Sequence, residues 1–164
     1  LAALLADVLK GVVSVLVFSR ISNWDYSAIL CGVLAVVGHT FSVFLRFRGG
    51  KGVATSAGVF LALFPIPVIV ASVVFGGTVA ISRIVSLGSC LAALTMTLLV
   101  FTLPKTWLSA PLNLLPEPYS LRIIVSVVAL LIIVKHRSNI TRMLQGKENK
   151  ISFSRKEAPN IPSK

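Results

Sequence analysis

The sequence predicts an all-α fold, a polytopic bundle of membrane-spanning helices. Two observations carry that expectation. Hydrophobic residues make up 55% of the chain and charged residues only 13%, with a mean hydropathy of +0.92. A water-soluble domain of this length needs far more polar surface. The apolar residues also gather into runs broken by short polar stretches, and backbone in lipid must satisfy its own hydrogen bonds, as a helix does. A net charge of +11 would suit nucleic acid if it covered one soluble face. Here it is interleaved with the apolar runs, so no nucleic-acid partner is expected; anionic lipid and an anionic substrate explain the charge better.

The first run, Leu1 to Phe18, contains Asp7 and Lys10 three residues apart, on one helix face. Ionisable groups at membrane depth are costly unless paired or turned into a polar cavity, and both readings are open. The chain starts without methionine and already inside a hydrophobic stretch, so a further N-terminal segment is expected ahead of it. Ser19 to Tyr26 is a polar loop with Trp24 and Tyr26 as interfacial anchors.

Ser27 to Phe41 is the second run and Val53 to Phe64 the third. Pro65-Ile66-Pro67 reads as a turn before the fourth, Val68 to Ile81. The third and fourth runs are short for lone spans, which invites tilt or re-entrance. Ser82-Arg83 is a polar break before Ile84 to Leu103. A proline-bearing loop from Pro104 to Ser120, with Trp107 and Tyr119 as anchors, leads to the last run, Leu121 to Val134. This gives about six spans in one membrane domain over residues 1–150, then a basic tail, 151–164, expected to be disordered. Cys31 and Cys90 lie in apolar runs, as small packing residues rather than disulfide or metal ligands.

Six crossings place the loop after the second run, Arg83 and the tail on one side. Those segments carry twelve Lys and Arg residues and the opposite loops carry three, Arg20, Lys105 and Arg122. The positive-inside rule then puts the glycine-containing loop and the tail in the cytoplasm.

That loop is the centre of the chemistry. Gly38 to Thr55 reads GHTFSVFLRFRGGKGVAT, with His39, Arg46, Arg48 and Lys51 around Gly49, Gly50 and Gly52. Glycines in such a row free the backbone for positive φ, so that successive N–H groups can turn toward one anion. Lys51 and the arginines add charge suited to phosphate. The Walker pattern of nucleotide-binding loops fails: Leu45 stands at its first glycine and Gly52 at its hydroxyl. A second cluster follows the last run, where His136, Asn139 and Arg142 fall near one face of a helix. It suits either a phosphorylated substrate or anionic lipid.

Together, GHxFxVFLxFxGGKGVAT and the downstream HRxNIxRxLxGxE resemble the acyl-phosphate:glycerol-3-phosphate acyltransferases, the PlsY family of bacterial membranes. Ser82-Arg83-Ile84-Val85-Ser86-Leu87 is similar to that family's (R/K)-x-x-S-L turn, and Asp7-Val8-Leu9-Lys10-Gly11 to its D-x-x-K-G span. The resemblance implies seven helices, a bacterial inner-membrane location and a cytoplasmic active face. It implies transfer of a fatty acyl group from acyl-phosphate to the 1-hydroxyl of glycerol 3-phosphate, giving lysophosphatidic acid and phosphate. The family's first helix and its S-G-N-x-G-x-T-N loop have no counterpart in this sequence. Ser42 stands where proline is usual, and Ile84 where an aromatic is common.

On this reading Lys51, His136 and Asn139 are the catalytic candidates. His39, Arg46, Gly49, Gly50, Gly52, Arg83, Ser86 and Arg142 are candidates for binding substrate or phosphate. The expected partners are acyl-phosphate, glycerol 3-phosphate and membrane lipid. An acyl phosphate is already activated, so no cofactor is expected, and the few histidines and carboxylates suggest no metal site. His136, His39 or the substrate's own phosphate could serve as base. No Asp or Glu follows either histidine at the H-x4-D spacing, since Phe44 and Thr141 occupy those places. A small organic-anion transporter would need polar residues at several depths on both membrane halves. A non-catalytic scaffold would tolerate scrambling of the glycine loop at constant charge.

The sidedness can be checked directly. Single cysteines at Lys147 and at Asn113, with Cys31 and Cys90 replaced, are expected to label from opposite membrane faces, and Lys147 only from the cytoplasmic one.

Overall fold

The computed structural model describes residues 2–18, 20, 21, 24, 26–104, 108 and 118–152. Among these residues there are seven α-helices and no strand. The helices are α1 (Ala2–Phe18), α2 (Ser27–Thr40), α3 (Val53–Leu63), α4 (Pro65–Ser82), α5 (Val85–Thr102), α6 (Pro118–Lys135) and α7 (Arg137–Leu144), with a 3₁₀ turn at Val43–Leu45. The first six occupy the six apolar runs. The expected disorder of the tail and most of the loop before α6 lie outside the described residues.

The helices differ in reach. Segments Ser27–Leu45, Pro65–Ser82 and Val85–Thr102 are each long and apolar enough to cross a membrane. The last run meets the same test only together with α7, across a 56° bend. Helix α3, at 11 residues, is roughly 17 Å long, about half of a hydrocarbon core. The chain is a multi-pass membrane helix bundle whose crossings are of unequal length.

One expected turn is absent. Pro65-Ile66-Pro67 opens α4 instead of preceding it. Proline at the start of a helix lacks an N–H that would have had no partner there, and its fixed φ already suits the helix. A single buried residue, Phe64, links α3 to α4 and stacks on Phe60 at 5.3 Å between ring centroids.

Packing sorts the helices into two groups, α1–α3 on one side and α4–α6 on the other, joined through α3 and α4. Small residues permit the closest approaches, as expected where apolar surface gains nothing by leaving lipid. On α1, a Cβ on Gly11 would overlap the Thr55 carbonyl of α3. On α3, a Cβ on Gly58 would overlap the Val8 carbonyl of α1. Gly88 holds α5 against Phe75 and Val79 of α4 in the same way. Val15, Val36, Leu63, Val100 and Val125 fill the interior, while Leu9, Val73, Leu98, Ile123 and Leu130 face outward. In a membrane those exposed side chains meet lipid.

This packing predicts a graded response to one methyl group. Gly58→Ala is expected to lower thermal stability in detergent by about 1–3 kcal/mol, the usual cost of overpacking. Gly76→Ala, where a Cβ meets nothing within 4 Å, is expected to be neutral or slightly stabilising. The check is the unfolding temperature of each purified variant against the unsubstituted chain.

Candidate active site

Between α2 and α3 the chain makes a hydrogen-bonded turn, with Phe47 N donating to Ser42 O at 2.8 Å and Arg48 N to Leu45 O at 3.0 Å. Arg46 and Phe47 hold positive φ, 51° and 62°. Of the three loop glycines only Gly52 is left-handed, at φ 80°, so the expected run of positive-φ glycines is corrected. Gly49 and Gly50 serve close approach instead. A Cβ on Gly49 would overlap the His39 carbonyl, and one on Gly50 the His39 ring. Gly50 N donates to His39 O at 3.2 Å. The loop is pressed onto the end of α2, and its amides lead into the N-terminus of α3, whose first intrahelical bond runs from Ser56 N to Gly52 O.

Lys51, carried past that contact, donates from Nζ to Asn139 Oδ1 at 2.7 Å. The other end of the same carboxamide donates from Nδ2 to Glu148 Oε1 at 2.6 Å. Glu148 also accepts from Ser86 Oγ at 2.7 Å and, through Oε2, from Arg142 Nε at 2.7 Å. Glu148 returns to the bundle because Gly146, at φ 67°, reverses the chain after α7. Beyond it Ile151 N donates to the Arg83 carbonyl at 2.8 Å. The glycine loop, the Arg83 turn and the tail therefore converge at one end of the bundle, as the charge count anticipated.

The electrostatics follow from these contacts. Bonds from Asn139, Ser86 and Arg142 stabilise the Glu148 carboxylate and hold its pKa at about 2, against an ordinary 4.5. Partial burial draws Lys51 below the usual lysine value; Arg142 acts in the same direction and Glu148 against it. His136 is buried between α6 and α7 and its Nδ1 lies 2.8 Å from the Ile132 carbonyl. A carbonyl only accepts, so Nδ1 carries the hydrogen and Nε2 keeps its lone pair in the neutral ring.

These groups open onto a cavity of about 790 Å³ between the two halves of the bundle. Lys51, Ser86, His136, Asn139, Arg142 and Glu148 line its polar end, and Val68, Ala71, Ala93, Met96 and Val125 its apolar remainder. Ser56 also faces it, and its buried hydroxyl has no hydrogen-bond partner among the described residues.

Of the residues proposed from sequence, Lys51, His136, Asn139, His39, Gly50, Gly52, Ser86 and Arg142 line this cavity. Arg46, Gly49 and Arg83 do not. Arg46 is an exposed turn residue and Gly49 a packing contact, while the Arg83 side chain is exposed and its backbone holds the tail. Sequence reasoning quoted Glu148 as the last residue of the second motif but assigned it no role. Its signal was an acid placed just after a glycine that can reverse the chain. Asp7 proves to be both paired and cavity-lining: its Oδ1 lies 3.1 Å from Lys10 Nζ and 3.3 Å from His39 Nδ1.

The model of the glycerol-3-phosphate acyltransferase family matches residues 1–146. The chain belongs to that family. It is 41% identical over 150 residues to the glycerol-3-phosphate acyltransferase of Geobacter sulfurreducens, covering 92% of this chain and 71% of that protein. It superposes on the crystal structure of PlsY (YgiH), an integral membrane glycerol 3-phosphate acyltransferase, in its glycerol 3-phosphate form. The TM-score is 0.75, with 32% identity, 91% of this chain and 69% of that one covered. The lysophosphatidic acid form of PlsY matches with the same score and identity over 70% of its chain. The family resemblance drawn from the two motifs therefore stands, and the membrane architecture of this acyltransferase-family chain agrees with that of its solved relative.

Glu148 supplies a pH test of the site. A carboxylate whose folded pKa is depressed adds stability at neutral pH and loses it as the pH falls. The loss should run from about 4.5 down toward about 2. Glu148→Gln is expected to lower the unfolding temperature at pH 7, and the gap to the unsubstituted chain should close through that acidic window. A gap independent of pH would show that the carboxylate charge is not what holds the tail.

Proposed function

We propose that this chain transfers a fatty acyl group from acyl-phosphate to the 1-hydroxyl of glycerol 3-phosphate, releasing lysophosphatidic acid and inorganic phosphate. The observation that carries this reading is the two-part cavity, a cationic polar end continuous with an apolar slot. A substrate with a phosphate head and a fatty tail has that profile. The names of the relatives support the acceptor, and the glycerol 3-phosphate and lysophosphatidic acid forms of PlsY fit the same chemistry.

In the proposed step the hydroxyl oxygen attacks the acyl carbonyl, a carbon–oxygen bond forms, and the bond to the phosphate oxygen breaks. Lys51 and the amides at the start of α3 hold the leaving phosphate, whose charge suits a helix N-terminus. Ser56 offers its unpartnered hydroxyl to the same group. Asn139, Arg142 and Ser86 orient glycerol 3-phosphate. His136 takes the hydroxyl proton through Nε2, the nitrogen left free by the bond to Ile132. Its burial draws the pKa below the ordinary histidine value and keeps the neutral, accepting ring. Holding an activated donor and an acceptor hydroxyl, both on anionic substrates, in line supplies most of the acceleration, without a cofactor. The active face is cytoplasmic, in keeping with the twelve-to-three charge count, and the family resemblance supports the bacterial inner membrane.

The test is acyl-phosphate-dependent formation of lysophosphatidic acid by the chain in membranes. Lys51→Ala and Gly50→Leu are each expected to lower it more than tenfold while insertion persists, since losing one partner of a desolvated charge costs about 2–5 kcal/mol. In Gly50→Leu the new side chain meets the His39 ring. Full activity in either variant would sink the assignment of the loop.

A further inference from the structure

We infer that Asp7 is a positioning residue for the glycine loop and acts on it through His39. Asp7 and Lys10 alone would form an i,i+3 pair with half-exposed Lys10, and such pairs contribute little. The contact with His39 joins two helices instead. The carboxylate stands 3.3 Å from His39 Nδ1 and limits the tilt of the ring. The ring and the carbonyl of that same histidine form the surface on which Gly49 and Gly50 lie. The carbonyl accepts the Gly50 amide at 3.2 Å, and the ring leaves no room for a Cβ on Gly50.

A rotation of the His39 ring would therefore drive it into the Gly50 backbone or withdraw its support. Thr40, the next residue, continues the platform: its Oγ1 would lie 2.9 Å from a Cβ on Gly52, and its carbonyl accepts from Lys135 Nζ at 3.3 Å. Asp7 is itself placed by the glycine contacts between α1 and α3. The structure thus runs from the α1–α3 seam to Asp7, to His39, and to the loop that carries Lys51. The consequence for catalysis rests on the phosphate role proposed for that loop; the mechanical coupling does not.

Two measurements on the full chain in lipid nanodiscs test this separately. The first is hydrogen exchange at the Gly50 amide. Asp7→Ala should raise it up to roughly tenfold, the scale of losing one neutral backbone hydrogen bond. Isosteric Asp7→Asn, still an acceptor but uncharged, should fall between it and the unsubstituted chain. Leu9→Ala, on the lipid-facing side of the same helix, should change nothing. Exchange unaltered in Asp7→Ala would overturn the inference. If Asp7→Ala does not accumulate, Asp7→Asn decides, and exchange equal to the unsubstituted chain is the overturning result.

The second measurement is acyl transfer. Asp7→Ala should raise KM for the acyl donor more than it lowers kcat, and in a His39→Gln background it should add less than a further twofold loss. Effects that multiply would show that Asp7 acts independently of His39. A loop that loosens in a chain with no acyl transfer at all would leave the coupling standing and remove the proposed function. Transfer that persists unchanged in Asp7→Ala, with unaltered exchange, would do the reverse.

Discussion

One carboxamide ties the two halves of the bundle together. Asn139 accepts from Lys51 on the glycine loop and donates to Glu148 on the tail, and Glu148 reaches Ser86 at the start of α5. An amide is suited to this place because it presents a donor and an acceptor at once. A carboxylate there would satisfy Lys51 but face Glu148 as a like charge; an ammonium would do the opposite. Asn139 is 7% exposed, so its hydrogen bonds are made with little competition from water, and an unmet one would be costly.

The site also shows how a cationic end of a membrane bundle can be kept open and ordered. Left alone, Lys51 and Arg142 would repel each other across a narrow space. Glu148 sits among them with both oxygens occupied, balancing charge without closing the cavity. In the proposed reaction a bound phosphate would bring further negative charge to the same place, so Glu148 and a substrate head group would draw on overlapping donors. The glycine loop contributes by a different means. Its backbone is held by contact with His39, which leaves Lys51 and the N-terminus of α3 facing the cavity.

Much of this was legible in the sequence. The six helices follow from hydropathy, because burial in lipid demands long apolar runs and little else. Lys51, His136, Asn139 and Arg142 could be grouped because their residue types suit phosphate and their spacing suits one helix face. Other features were hidden because they are properties of tertiary contact. Gly49 and Gly50 looked like residues needed for positive φ, yet what they provide is space beside His39, which only the packed fold reveals. Arg46 and Arg83 drew attention by charge, and the fold leaves both exposed and outside the cavity lining. Glu148 closes the second motif, but its contacts with Ser86 and Asn139 were hidden because they depend on how the chain folds back after Gly146. The prolines at 65 and 67 marked a boundary correctly and its kind wrongly, because proline ends one element and begins another equally well.

The paired glycine contacts between α1 and α3 have a consequence for alignment. Each helix lays a bare stretch of backbone against a carbonyl of the other, Gly58 under Val8 and Gly11 under Thr55. Moving α1 by a single residue, about 1.5 Å along its axis, would bring a side chain where only hydrogen fits. The two helices thus mesh at one setting, like a detent. Because Asp7 lies one turn from Gly11, that setting also gauges the gap between its carboxylate and the imidazole of His39. A steric fit buried among apolar atoms sets the spacing of polar groups that line the cavity.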